Sequence, residues 1–253
     1  MKRDMVHVLI VMGIGVLASW VLVGCQGKTT DPPGPPEKVT LAYTTNPNAA
    51  LVQVALKKGY FAAEGLAVSP QPHLFGKAAL DSLLEGKAAL ATMAETPFVF
   101  AVIKGANVFA LGTIQTATKH EAIIARRDRR ISNPHDLKGK KIGVSLGTGG
   151  EFFLDSFLTI NGIEERDIKV VDLPPDNMIE ALLKGNVDAV ACWHPNLIRL
   201  QKELGSRGIT FYAEFAYTET FILAGNKDFV RKNPGVIVKV LKALVSAETF
   251  VKE

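Results

Sequence analysis

From Val39 onward the sequence alternates short apolar runs with amphipathic stretches that stop at glycine, and few folds accept that rhythm. Residues 39–43 predict a strand. Asn48 opens a predicted helix through Lys58, with Gly59 as its stop. A strand at 66–68, a helix over 77–85 ended by Gly86 and a strand at 89–92 follow. Thr96 is then expected to cap a helix whose first position is Pro97, a residue with no N–H to leave unsatisfied there. Strands at 108–112 and 121–125 lead to a turn at Asn133-Pro134, after which the pattern restarts. The second round is strand 141–145, helix 151–159, strand 168–172, helix 177–184, strand 188–193 and helix 195–204. Strand–helix alternation of this kind builds an α/β fold, a parallel sheet with helices on both faces.

The two rounds share a unit. Residues 83–91 (LLEGKAALA) parallel 182–190 (LLKGNVDAV): a helix end, a glycine stop and a buried strand, with Pro97 and Pro195 soon after. The likeness falls at the same place in each half, which favours two related lobes over one continuous sheet.

Ahead of this body, Lys2 and Arg3 precede an apolar run from Val8 to Gly24, and Cys25 follows at once. A charged head, an apolar stretch and a small residue before cysteine make an export signal. The run is at the short edge of what spans a bilayer. The arrangement resembles the lipobox of bacterial lipoproteins and implies a leader over 1–24 and a lipid anchor at Cys25. The expected compartment is then the cell membrane, facing the periplasm or the exterior. Residues 25–38, with Pro32, Pro33, Pro35 and Pro36, read as a semi-extended tether.

Composition narrows the chemistry. A hydrophobic share of 47% against 21% charged fits a folded body; the formal charge of +4 is mild and dispersed and by itself argues neither for nor against nucleic acid, and no nucleic-acid partner is expected. If Cys25 is lipidated, Cys192 has no disulfide partner, and in its apolar run it reads as a small buried hydrophobe. Five scattered histidines give no metal spacing, so no metal or cofactor is expected. There is no nucleophile elbow and no recognisable pair of catalytic acids, and nothing in the chain demands an enzyme.

In open α/β sheets, ligands collect at strand carboxyl ends and helix N-termini. Four segments qualify: Asn46 with its neighbours after the first strand, Phe75-Gly76 before a helix, Glu95-Thr96, and Thr148-Gly149-Gly150. The last places glycine N–H groups at a helix start, where a negative group is favoured, but it lacks the lysine and spacing of a phosphate loop. Trp193, closing a strand, either stacks on a ligand or fills the core. Glu95 either complements its helix dipole or meets a ligand amine or hydroxyl. His73, His120 and His135 have no evident acidic companion.

Residues 49–72 (AALVQVALKKGYFAAEGLAVSPQP), 86–101 (GKAALATMAETPFVFA), 136–162 and 167–195 (DIKVVDLPPDNMIEALLKGNVDAVACWHP) together resemble the solute-binding proteins of ABC importers. The specific likeness is to the nitrate/sulfonate/taurine-type family, which is related to binders of thiamine-pyrimidine precursors. The resemblance covers the chain from about Val39 to its end. It implies a two-lobed periplasmic-binding-protein type II fold, with doubly wound sheets joined by two crossing strands near 120–127 and 219–226. Lobe 1 would comprise 39–122 and 220–253, and lobe 2 would comprise 123–219. The family would also carry more lobe-packing helices after 234–251, so either lobe 1 is incomplete or a shortened lobe is tolerated.

The implied function is a monomeric receptor that passes a small polar or anionic solute (sulfonate, nitrate, bicarbonate or a related acid) to an ABC permease. The alternatives are pyrimidine-precursor binding or synthesis, or ligand sensing without transport. Within that reading Thr148, Gly149 and Gly150 would donate to an anion. Trp193 and Phe75 would form apolar walls, beside Gly76, while Asn46, Glu95 and Thr96 would orient the ligand.

Overall fold

The structure, a computed structural model, describes residues 34–213 and 217–253. The expected leader, the lipid anchor Cys25 and most of the tether lie outside the described residues. Regular structure begins with β1 (Glu37–Thr44), followed by a 3-10 turn at Pro47–Ala49, α1 (Ala50–Lys58) and the single turn α2 (Tyr60–Ala63). Gly59 between them takes the left-handed conformation at φ 74°, which a glycine adopts without steric penalty. Then come β2 (Leu66–His73), α3 (Gly76–Leu84), β3 (Leu90–Ala94), α4 (Glu95–Ile103) and β4 (Val108–Ala117).

After β5 (Glu121–Arg126) the second round runs β6 (Lys141–Val144), α5 (Gly149–Ile160), β7 (Lys169–Asp172), α6 (Met178–Lys184), β8 (Ala189–Trp193), α7 (Asn196–Leu204) and β9 (Gly208–Phe211). The chain returns through β10 (Glu219–Asn226), α8 (Lys227–Lys232) and α9 (Pro234–Lys252).

Two five-stranded sheets result, in the orders β2-β1-β3-β10-β4 and β7-β6-β8-β5-β9. The orders are the same motif written twice, with a crossing strand, β10 or β5, next to one edge strand of each sheet. The sheets are mixed rather than purely parallel. β1 runs parallel to β2 and β3, and β6 to β7 and β8, but β10 is antiparallel to β3 and β4 and β5 to β8 and β9. A strand that arrives from the other lobe enters from the opposite end and so runs against its neighbours. Pro70 and Pro72 sit in β2, an edge strand, where a missing N–H breaks no internal ladder.

Each sheet buries both faces. In the first, Val39, Leu41, Leu90 and Leu223 pack against α1 and α9, while Ala42, Ala91, Met93 and Ile222 meet α3 through Leu80 and Leu83. In the second, Ile123, Ile142 and Ala189 meet α5 through Phe153 and Phe157. Ile124, Val190 and Cys192 meet α6 and α7 through Leu182 and Leu200. The period-two alternation of strand side chains thus assigns each helix to a face. Cys192 is fully buried, and burial pushes its thiol up to about 12.

Two helix starts differ from expectation. α4 begins two residues early: Ala94 is the cap in extended backbone, Glu95 is the first helical residue, and Thr96 lies inside the first turn. A carboxylate at that position suits the helix dipole, which removes the need for a hydroxyl cap. At α5 Thr148 does occupy the cap position, but its hydroxyl donates to the Ser145 carbonyl at 2.6 Å instead of to the helix.

Candidate functional site

The carboxyl ends of β1, β3, β6 and β8 and the entering ends of β5 and β10 converge between the two sheets. There a small cavity that opens to solvent is lined from both sides. The first sheet and its helices supply Asn46, Asn48, Phe75, Gly76, Lys77 and Phe221, and the second supplies Thr148, Gly149 and Trp193. The remaining polar lining is Glu121 and Glu219.

Local structure explains several of these positions. Asn46 caps the 3-10 turn; its side-chain oxygen accepts from the Asn48 N–H at 3.1 Å and the Thr44 hydroxyl at 2.9 Å. Gly76 opens α3 against the β3 backbone, where a β-carbon would stand 2.9 Å from the Met93 Cα. Gly149 leaves room for Glu121: a β-carbon there would stand 2.5 Å from a Glu121 carboxylate oxygen. Gly150 lies under the Trp193 ring, at 3.2 Å from a would-be β-carbon. Lys77 crosses toward the other lobe, its stem against Gly147, while its ammonium pairs with Asp81 at 2.9 Å.

Of the residues expected from sequence, Asn46, Phe75, Gly76, Thr148, Gly149 and Trp193 line the cavity; Glu95, Thr96 and Gly150 stand just behind it. The surroundings of Thr148, Gly149 and Gly150 are specific. The Thr148 hydroxyl is engaged with its own loop, Gly150 supports the tryptophan, and a glutamate occupies the space beside Gly149. Glu95 and Thr96 bond to the crossing segment. Glu95 accepts from the Tyr217 hydroxyl and from the Thr220 N–H at 2.8 Å, and Thr96 pairs with the same Tyr217 hydroxyl at 3.1 Å. The Tyr217 ring meets Phe152 of α5 edge-on at 5.2 Å.

The residues missed from sequence are the acids. Glu121 and Glu219 are the first residues of β5 and β10, only 5% and 3% exposed. The Asn48 amide donates to Glu219 at 3.1 Å and sits 3.1 Å from a His120 ring nitrogen, which itself lies 3.5 Å from Glu219. His120 therefore has the acidic companion that its sequence neighbourhood hid. Burial, helped by His194 nearby, lowers it to about 4, so it is neutral at physiological pH.

Burial pushes Glu121 up to about 9, with the charges of Glu219 and Glu95 adding to it, and pushes Glu219 up to about 8 with help from Glu95. The signal available in sequence was a lone carboxylate heading a fully apolar strand, in Glu121-Ala122-Ile123-Ile124 and again in Glu219-Thr220-Phe221-Ile222. Among the described residues no set of histidine, cysteine and acidic side chains is arranged to hold a metal ion.

The family model described as NMT1/THI5 like matches residues 46–253, most of the chain and every element that builds the cavity except the first strand. The chain belongs to this family. A putative aliphatic sulfonates-binding protein of Escherichia coli is 28% identical over 177 residues, covering 70% of this chain and 55% of that protein. A putative thiamine biosynthesis protein of Haemophilus influenzae is 26% identical, covering 82% and 67%. This chain thus spans little more than half the length of the first of these relatives.

Among solved structures, the alkanesulfonate-binding protein SsuA from Xanthomonas axonopodis pv. citri, bound to MOPS, superposes with a TM-score of 0.74. It is 21% identical and covers 84% of this chain and 73% of that one. That likeness shows the fold, two lobes of the periplasmic-binding-protein type.

Proposed function

We propose that this chain is the extracytoplasmic solute-binding component of an ABC importer, held at the membrane by lipid on Cys25, which hands a small polar molecule to a permease. The observation that carries the reading is the cavity itself, lined by both lobes where two strands cross between them. Hinge motion about two crossings closes such lobes on a ligand. The names of the E. coli and Xanthomonas relatives support a solute-binding role, and that of the Haemophilus relative keeps pyrimidine-type ligands in view. Binding without chemistry fits the side chains: the described cysteine is sealed in the core with its thiol held protonated.

Thermal unfolding across sulfonates, nitrate, bicarbonate, aromatic carboxylates, amines and aminopyrimidines tests it. A ligand at about 100 times its Kd adds roughly 2.7 kcal/mol to the folded state. A selective rise in Tm supports the receptor reading. A cooperative melt that no compound moves counts against it.

A further inference from the structure

Acids line the cavity where sequence reasoning placed donors for an anion. Among the described residues that line it, the only lysine or arginine is Lys77, whose ammonium is already paired with Asp81. Against it stand two carboxyls in the lining, with Glu95 directly behind. Glu219 is held by the Asn48 amide. Glu121 is different. It is 95% buried and borders the cavity, and the hydrogen-bond partner it finds among the described residues is another acid, Glu219. Two carboxyls side by side are held by a shared proton, with no fixed cation between them. Trp193, Phe75 and Phe221 supply aromatic surface around the same space.

We propose that the cavity takes a small planar organic cation bearing at least two N–H donors, an amidinium or guanidinium, with its N–H groups on Glu121 and Glu219 and its face against Trp193. The inference rests on the solute-binding reading and names the ligand class of that same site. Planar N–H donors match carboxylate oxygens in charge-assisted pairs, and aromatic walls add cation–π attraction.

Binding should be linked to protons. The groups facing Glu121 are Glu219 from β10, Glu95 from α4, Tyr217 from the crossing segment, and His120, the residue before it. Lys77 from α3 borders the same space, and Cys192 lies behind on β8. A bound cation would restore the ionised carboxylates and expel the protons that they hold in its absence.

The test is titration calorimetry of the full chain at neutral pH, in two buffers of different ionisation enthalpy. The probes are benzamidinium and methylguanidinium, against methanesulfonate and nitrate. The expected result is binding of a cation with proton release. Glu121→Gln should weaken it about ten- to hundredfold, the loss of one charge-assisted hydrogen bond, and Glu219→Gln should do the same, with melts confirming that each variant folds. Binding of methanesulfonate or nitrate while both cations stay silent overturns the cation and leaves the solute-binding reading standing. Cation binding that neither variant weakens also overturns it. Silence from all four probes removes the cation and counts against the receptor reading as well.

Discussion

Two glycines in the cavity wall have different neighbours, and substitution separates their roles. At Gly76 an added methyl meets the β3 backbone at Met93, which cannot step aside. Gly76→Ala is expected to lower stability by about 1–3 kcal/mol, the usual range for overpacking, as read by urea unfolding. At Gly149 the methyl meets the far end of the Glu121 side chain, which can swing away. Gly149→Ala should therefore leave the melt nearly unchanged and weaken ligand binding.

The buried acids also give the ligand-free protein a pH profile. Both carboxyls are held above their ordinary 4.5, at about 9 for Glu121 and about 8 for Glu219, so the folded chain keeps protons that the unfolded chain releases. Their contribution is complete below pH 4.5 and is lost as pH rises through 8 and 9. His120 acts in the other direction: lowered from 6.5 to about 4, it stabilises above pH 6.5 and ceases to do so as pH falls toward 4. Between pH 6.5 and 9 only the acids act among these three, so Tm should fall across that window, and Glu121→Gln should flatten the fall.

None of this was legible residue by residue. Glu121 and Glu219 are distant in sequence and meet only because two strands cross between sheets. Trp193 and Phe75 were readable because each sits at a strand end or helix start, where α/β folds place ligands.

At the scale of elements, the alternation of apolar strands and glycine-stopped helices predicted the order of the first eight strands and most helices. It failed where tertiary contacts chose the boundary. Thr96 was drawn off its capping role by Tyr217, and β9, a half-buried edge strand of four residues, carries too little apolar pattern to stand out. The crossing segment is the element with the clearest mechanical duty. Through its hydroxyl Tyr217 joins Glu95 and Thr96 of the first lobe, and through its ring it touches Phe152 of the second. Tyr217→Phe keeps the ring contact and removes the hydroxyl bonds. Loss of a hydrogen bond to a charged group is worth about 1.5–3 kcal/mol, discounted here because the hydroxyl is not fully buried. The expected outcome is weaker ligand affinity and a larger radius of gyration in solution scattering with ligand present. An unchanged radius and affinity would deny the tyrosine this role.

At the scale of the molecule, the doubling of one sheet order was foreshadowed by the paired segments 83–91 and 182–190, each a helix end, a glycine and the central strand of its lobe. The antiparallel entry of β5 and β10 was not foreshadowed, because direction within a sheet depends on where the chain comes from and not on side-chain pattern. The proposed anchor makes its own prediction. Expressed in a bacterium, the chain should fractionate with membranes, and Cys25→Ser should move it to the soluble fraction; membrane association that survives the substitution would argue against lipid on that cysteine.

The strand exchange also dictates an order of assembly. The second sheet is built from one continuous stretch, β5 to β9, whereas the first needs β10 in its middle, between β3 and β4. A chain emerging from its amino end therefore carries β1 to β4 unfinished until the whole second lobe has been made. The late lobe can close on local partners, while the early one must wait for a strand separated from it by about a hundred residues, the kind of long-range closure that slows folding. Under the proposed export, with the chain crossing a membrane as an unfolded thread, the lobe that leaves first would be the lobe that folds last.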